Sequence, residues 1–205
     1  MRMGWTGKRA RTWIAASMCA VIALAAAADV GAREQRSSAV EYRVLATTKT
    51  STMEKELNEA ADAGFHFDAA MGGDTAIGGS EVVVIVARSG DARPRYAYRL
   101  LATSKTSTMQ KELQEAADAG FEYRGQTVFK SVFGGEEVVC ILERDRSDTP
   151  HRSEYKLVAT TKTSTLQKEL NEVGEQGYVV LGMTVAKTAM GGKEVVAITK
   201  RERPR

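Results

Sequence analysis

The chain has 205 residues, a formal net charge of +3 and 43% hydrophobic residues, which excludes a disordered or collagen-like polypeptide. All of the positive balance sits in the first 32 residues. Without them 25 basic and 25 acidic residues remain, so the excess or stripe of basic charge that marks a nucleic-acid binder is missing and no nucleic-acid partner is expected.

Residues 1–32 read as a signal peptide. Lys8, Arg9 and Arg11 form a basic start, and an alanine-rich apolar run extends from Trp13 to Ala28. That run is shorter than the roughly 20 residues a spanning helix needs. Small residues follow at Ala26-Ala27-Ala28 and at Val30-Gly31-Ala32, giving two candidate cleavage sites. The expectation is a periplasmic or secreted protein with no stable membrane insertion after cleavage. Cys19 follows Met18, where a lipoprotein signal wants a small residue. Cys140 alone survives cleavage, in the apolar run Val138 to Leu142, and reads as a buried, inert thiol.

After a polar lead-in (33–41), one segment recurs. Tyr42-Arg43-Val44-Leu45-Ala46-Thr47-Thr48-Lys49-Thr50-Ser51-Thr52 has close copies starting at Tyr98 and Tyr155. Three units align without a gap: 42–88, 98–144 and 155–201. Linkers of loop composition separate them, 89–97 with Pro94 and 145–154 with Pro150, and a short basic tail (202–205) ends the chain. A repeated unit of this kind signals a tandem array.

Each unit predicts a strand, a helix and two further strands. In the helix, Ser51, Ser107 and Ser164 precede Glu54, Gln110 and Gln167 by three residues, the spacing of a capping box. Met53, Leu57, Ala60 and Ala61 make an apolar stripe, opposite a wet face with Lys–Glu pairs four residues apart. Gly64, Gly120 and Gly177 stand where a helix stops in a left-handed residue, and an aromatic follows each: Phe65, Phe121 or Tyr178. Gly134-Gly135 and Gly191-Gly192, between β-prone runs, predict hairpins. The first copy differs, with Gly72 and Gly73 in its second strand. They are expected to weaken or bulge it, as an end effect of the array.

The fold class is therefore α+β: three tandem βαββ repeats, each an antiparallel or mixed three-stranded sheet with one helix. The last strand of each unit is apolar on both faces. Val83 and Ile85, with Val139, Ile141, Val196 and Ile198, are expected to meet the helix. Val82, Val84, Val86, Val138, Cys140 and Leu142 are expected to meet another unit's sheet, because a strand apolar on both faces is covered on both. A unit this small is near the limit of independent folding. The units are thus expected to close on one another in a pseudo-threefold arrangement or to pair with a second chain, rather than to hang as beads on linkers.

The functional candidates are the strand-to-helix turns: Lys49, Thr50, Ser51 and Thr52; Lys105, Thr106, Ser107 and Thr108; Lys162, Thr163, Ser164 and Thr165. A lysine beside the free N–H groups of a helix start can hold a phosphate, sulfate or carboxylate. The plainer reading is helix capping, for about 1 kcal/mol each. The turns lack the glycines of a P-loop. Catalysis has little support: His66 and His151 are not repeated, no cluster has metal-ligand spacing, and no nucleophile, base and orienting group combine. No cofactor and no metal are expected. Glu81, Glu137 and Glu194, each after the hairpin turn, read as solvated ends.

The third helix, Leu166-Gln167-Lys168-Glu169-Leu170-Asn171-Glu172-Val173-Gly174-Glu175-Gln176-Gly177-Tyr178, resembles a bacterial family of short βαββ domains of unknown function. Its pattern is a helix ending Leu-Asn-Glu-x-Gly-x-x-Gly-Trp/Tyr before a hairpin. The first two copies carry Ala61 and Ala117 where the third has Gly174. The resemblance implies the fold and no site residues. The leading expectation is a non-enzymatic module that binds an unidentified protein partner or associates with itself. The alternatives are an anion or ligand binder at the Lys-Thr-Ser-Thr turns and an enzyme with a site between repeats.

Overall fold

In the computed structural model each unit folds as strand, helix, strand, strand. Residues 39–75, 79–90, 92–130, 136–148, 153–187 and 193–203 are described; the expected signal peptide and the glycine pairs of the second and third hairpins lie outside them. The chain divides into two compact units, Glu41–Arg88 with Ala92–Arg205, and Met1–Val40 with Ser89–Asp91. Of the latter only Ala39, Val40, Ser89 and Gly90 are described. The former holds the three repeats.

The first repeat comprises β1 (Val40–Thr47), α1 (Thr50–Asp62), β2 (His66–Thr75) and β3 (Gly79–Ser89). The second comprises β4 (Tyr96–Thr103), α2 (Thr106–Asp118), β5 (Glu122–Lys130) and β6 (Glu136–Asp145), and the third β7 (Ser153–Thr160), α3 (Thr163–Glu175), β8 (Val179–Lys187) and β9 (Lys193–Glu202). Each repeat makes its own three-stranded sheet, with orders β1-β3-β2, β4-β6-β5 and β7-β9-β8. The last strand is central and antiparallel to its neighbours, as in Leu100 opposite Ile141 and Thr127 opposite Val139. The hairpin lays that strand beside the second, and the helix carries the first across to its other edge.

Local chemistry sets the helix ends. Gly64, Gly120 and Gly177 take φ of 86°, 81° and 83°. The N–H groups of Gly64 and Phe65 return to the carbonyls of Ala61 and Ala60 at 2.9 and 3.0 Å, a Schellman stop repeated in all three copies. Arg88, Arg144 and Arg201 donate from Nη1 to the carbonyls of Ala63, Ala119 and Gln176. The same guanidinium groups lie 4.6, 4.9 and 4.7 Å from the ring centres of Phe65, Phe121 and Tyr178, so one arginine both satisfies a helix C-terminus and covers an aromatic. The start differs from expectation. Lys49, Lys105 and Lys162 are the N-caps, no side chain caps the helix, and the serines lie inside it. No capping box forms. The threonine ending each first strand turns the chain instead: Thr47, Thr103 and Thr160 accept from the N–H groups of Lys49, Lys105 and Lys162 at 3.2, 3.1 and 3.3 Å.

The two faces of the central strand are exchanged relative to expectation. Val82, Val84 and Val86 pack with Met53, Leu57, Ala60 and Ala61 of their own helix. Val139 and Ile141 of β6 join that same cluster, on α1 of the preceding repeat. Likewise Val138, Cys140 and Leu142 meet α2, and Val196 and Ile198 of β9 close over it from the next repeat. The second and third sheets are thus each covered on the back by the preceding helix and not by another sheet. The reason is the small side chains of the helix: Ala60, Ala61, Ala116 and Ala117 are fully buried and let a second sheet approach.

Repeats join in sequence, first to second and second to third. Among the described residues no repeat closes the set in a pseudo-threefold manner over the back of the first sheet: Tyr42 is 63% exposed where its counterparts Tyr98 and Tyr155 are 4% and 3% exposed. Nor does the first copy's Gly72-Gly73 pair weaken its strand. Pairing with β3 runs unbroken through Gly72 opposite Val82 and Gly73 opposite Glu81. A bulge does occur, but upstream and in every repeat, between Phe67 and Ala69, Tyr123 and Gly125, and Val180 and Gly182. Gly72 is needed because a side chain there would collide with the backbone of Val128 in β5.

This layering predicts unequal costs for equivalent truncations. Ile141→Ala should destabilise by about 3 kcal/mol, as for a fully buried aliphatic, whereas Ile85→Ala on the uncovered first sheet should cost less than half as much. Urea unfolding of the two variants checks it, and equal losses would contradict the arrangement.

Candidate functional site

The polar chemistry of this chain concentrates at the junctions between repeats. β4 is an edge strand, whose outward N–H and C=O groups need partners. The helix of the first repeat supplies them. Asn58 accepts from Tyr98 N at 3.0 Å and donates to Tyr98 O at 3.0 Å, and Glu54 accepts from Leu100 N at 2.8 Å. A side-chain amide so placed imitates a neighbouring strand. The second junction repeats the device. Gln114 accepts from Tyr155 N at 3.1 Å and donates to Ser153 O at 3.2 Å. Gln110 accepts from Leu157 N at 2.7 Å and donates to Tyr155 O at 2.8 Å.

A tyrosine completes each junction. At the bulge of the second strand one N–H is left over: Phe67 N donates to Tyr98 Oη at 2.7 Å and Tyr123 N to Tyr155 Oη at 2.8 Å. Tyr98 in turn donates to the buried Glu143 at 2.6 Å, which also accepts from Arg124 Nε at 2.8 Å. Burial first, and then the Glu143 carboxylate, hold the Tyr98 phenol well above its ordinary range. Burial pushes Tyr155 up to about 12. Cys140 is a free, buried thiol pushed up by burial to about 12, in keeping with an inert role.

The Lys-Thr-Ser-Thr turns are separate, and no described hydrogen bond links one to another. Thr50 and Ser51 of the first line a shallow concavity with Glu54, Leu100, Leu101, Ala102 and Glu112, two carboxylates among them. At the second, Thr106 Oγ1 donates to Glu194 Oε2 at 3.0 Å. Glu194 is therefore not a solvated end: it brings a carboxylate from the third repeat to the start of α2, where the helix dipole favours one. At the third turn Lys162, Thr163 and Ser164 are exposed. Among the described residues no group of three or more His, Cys, Asp and Glu could hold a metal ion.

Two surfaces carry the residues of a junction without its other half among the described residues. On the back of the first sheet Tyr42 and Val44 are each 63% exposed. On the third repeat Gln167 donates to Asn171 at 3.1 Å on the outer side of α3, and Val179, Val180, Met183 and Val185 of β8 are exposed. From the helix pattern alone Asn58, next to Glu59 in the chain, reads as part of the wet face that carries the Lys55–Glu59 pair. That ion pair does form, at 3.6 Å, but Asn58 faces β4. The overlooked signal was a polar pair four residues apart (Glu54 and Asn58, Gln110 and Gln114, Gln167 and Asn171) beside an apolar stripe. Compared with protein families, curated proteins and solved structures, the chain has no match.

The tyrosine junction gives a pH prediction. Between pH 10 and about 12 the folded chain keeps Tyr155 protonated while the unfolded chain loses that proton. Stability complete below pH 10 is therefore lost as pH rises towards 12. Tyr155→Phe should lower the unfolding free energy from urea titration at pH 8 by about 1–3 kcal/mol for the stranded Tyr123 N–H, and its stability should then decline less between pH 10 and 12 than the parent's; parallel declines would assign the titration elsewhere.

Proposed function

We propose that this chain is an exported, non-enzymatic repeat protein that works by contact, with a protein partner or with further copies of itself. The exposed pair Tyr42 and Val44 carries the reading. Their equivalents are buried or half-buried wherever a neighbour exists, so the face is built for contact and lacks its cover. β1 is also a sheet edge, a surface that pairs readily with another chain. The buried acid at the first junction supports the same reading, since Glu143 is already held by the Tyr98 hydroxyl and by the half-exposed Arg124 and is not free to act as an acid or base.

A photoreactive amino acid at Val44, introduced in the producing cell, should form protein adducts, and one at Lys55 on the wet face of α1 should form none. Equal yields from the two positions, or none from Val44, would overturn the reading. The anion alternative is weaker, because carboxylates already stand at the starts of α1 and α2. Phosphate or sulfate should raise the melting temperature of the parent and of a Lys49→Ala, Lys105→Ala, Lys162→Ala triple variant equally; protection of the parent alone would restore the anion site.

A further inference from the structure

We infer that the partner of the open β1 face is the third repeat of a second copy of this chain, docked head to tail as one more junction of the kind that joins consecutive repeats. The inference rests on the contact reading above and names its partner. Each internal junction needs a polar pair four residues apart on the helix, a bulge in the second strand, and a tyrosine with the residue two places later on the following edge strand. The third repeat offers the first set, Gln167, Asn171 and Val180, all exposed and with no strand laid on them among the described residues. The first repeat offers the second, Tyr42 and Val44, each 63% exposed and with no helix laid on them among the described residues. In the docked pair Gln167 meets Val44 N and Tyr42 O, Asn171 meets the Tyr42 backbone, and Tyr42 Oη accepts from the bulge at Val180.

Side-chain size supports the match independently. At the first junction Phe67 fills the space over Gly125, where a Cβ would stand 2.9 Å from its ring. At the second, Tyr123 likewise fills the space over Gly182. Large side chain and glycine go together in both. The open ends carry the smaller pair: Val180 in the aromatic position, and Ala69 in the glycine position of the first repeat. A Cβ at Ala69 is accommodated because valine is shorter than either ring. The two surfaces differ from each other, so the contact is heterologous, and repetition yields an open filament or a closed ring rather than a twofold dimer.

Light scattering on the full mature chain over a concentration series tests this. The parent's mass should rise with concentration. Val44→Glu and Val180→Glu should each lose association while melting like the parent. Mixed in equal amounts, the two variants should form a dimer and nothing larger, because each retains one working face. If either glutamate variant unfolds, Tyr42→Ala and Asn171→Ala replace it at the same end. A parent that stays monomeric at every concentration, a Val44→Glu variant that associates like the parent, or a mixture that stays monomeric overturns the inference. A monomeric parent whose Val44 position still cross-links to a different protein overturns it while leaving the contact reading standing, and a cross-link within one chain to residues 33–38 overturns both.

Discussion

A short helix held between two sheets is the constraint from which the rest of this structure follows. The α1 helix has 13 residues, too few to be stable alone in water, and its buried residues are Met53, Leu57, Ala60 and Ala61. Met53 and Leu57 meet their own sheet at Val82, Val84 and Val86, while Tyr98, Val139 and Ile141 close the same cluster from the following repeat. A repeat without its successor leaves the far side of this helix in water; a repeat without its predecessor leaves the back of its sheet there. Folding is therefore shared between neighbours, as in other stacked arrays. The third repeat shows the consequence at an end. Its cluster holds only Val158, Leu166, Val173, Tyr178 and Ala197 as buried members, with no residue of a following sheet such as Val139 and Ile141 supply to the first, and it is reduced further because Ala197 and Thr199 stand where the first repeat has Val84 and Val86.

Apolar burial is not directional, and register along the array comes from the polar pins. Asn58 offers one donor and one acceptor to a single residue, Tyr98, a match lost if the strand slides by one residue. Glu54 can only accept, and it takes Leu100 N; Gln110 in the next repeat both accepts and donates. The pins also guard the sheet edges. β4 and β7 present their free backbone to the helix of the preceding repeat, whereas β1, the equivalent edge strand of the first sheet, has no preceding repeat to supply one.

Several recurrent residues acquire a structural cause. The arginines at 88, 144 and 201 bind helix C-termini and cover aromatic rings. The threonines at 47, 103 and 160 turn the chain into the helix. Glu194 serves the start of the preceding helix. These roles account for much of the repetition by folding alone, and they weaken recurrence by itself as a sign of a ligand site.

Much of each repeat was legible in the sequence, for local reasons. Helix extents follow from the apolar stripe and the glycine stop, strands from β-prone runs, and three units from the recurrence at Tyr42, Tyr98 and Tyr155, since each depends on contacts within a few residues. Which face of the central strand meets which helix was not legible. Both faces read as apolar, and nothing local separates Val84 from Ile85; only the position of the next repeat does. The capping-box spacing misled for the same reason. Glu54 and Gln110 stand at the right distance from a serine, yet an unpaired edge strand close by in space leaves more backbone to satisfy than the helix start does. Composition and local pattern determine the unit, and the way one unit covers the next is decided by long-range packing.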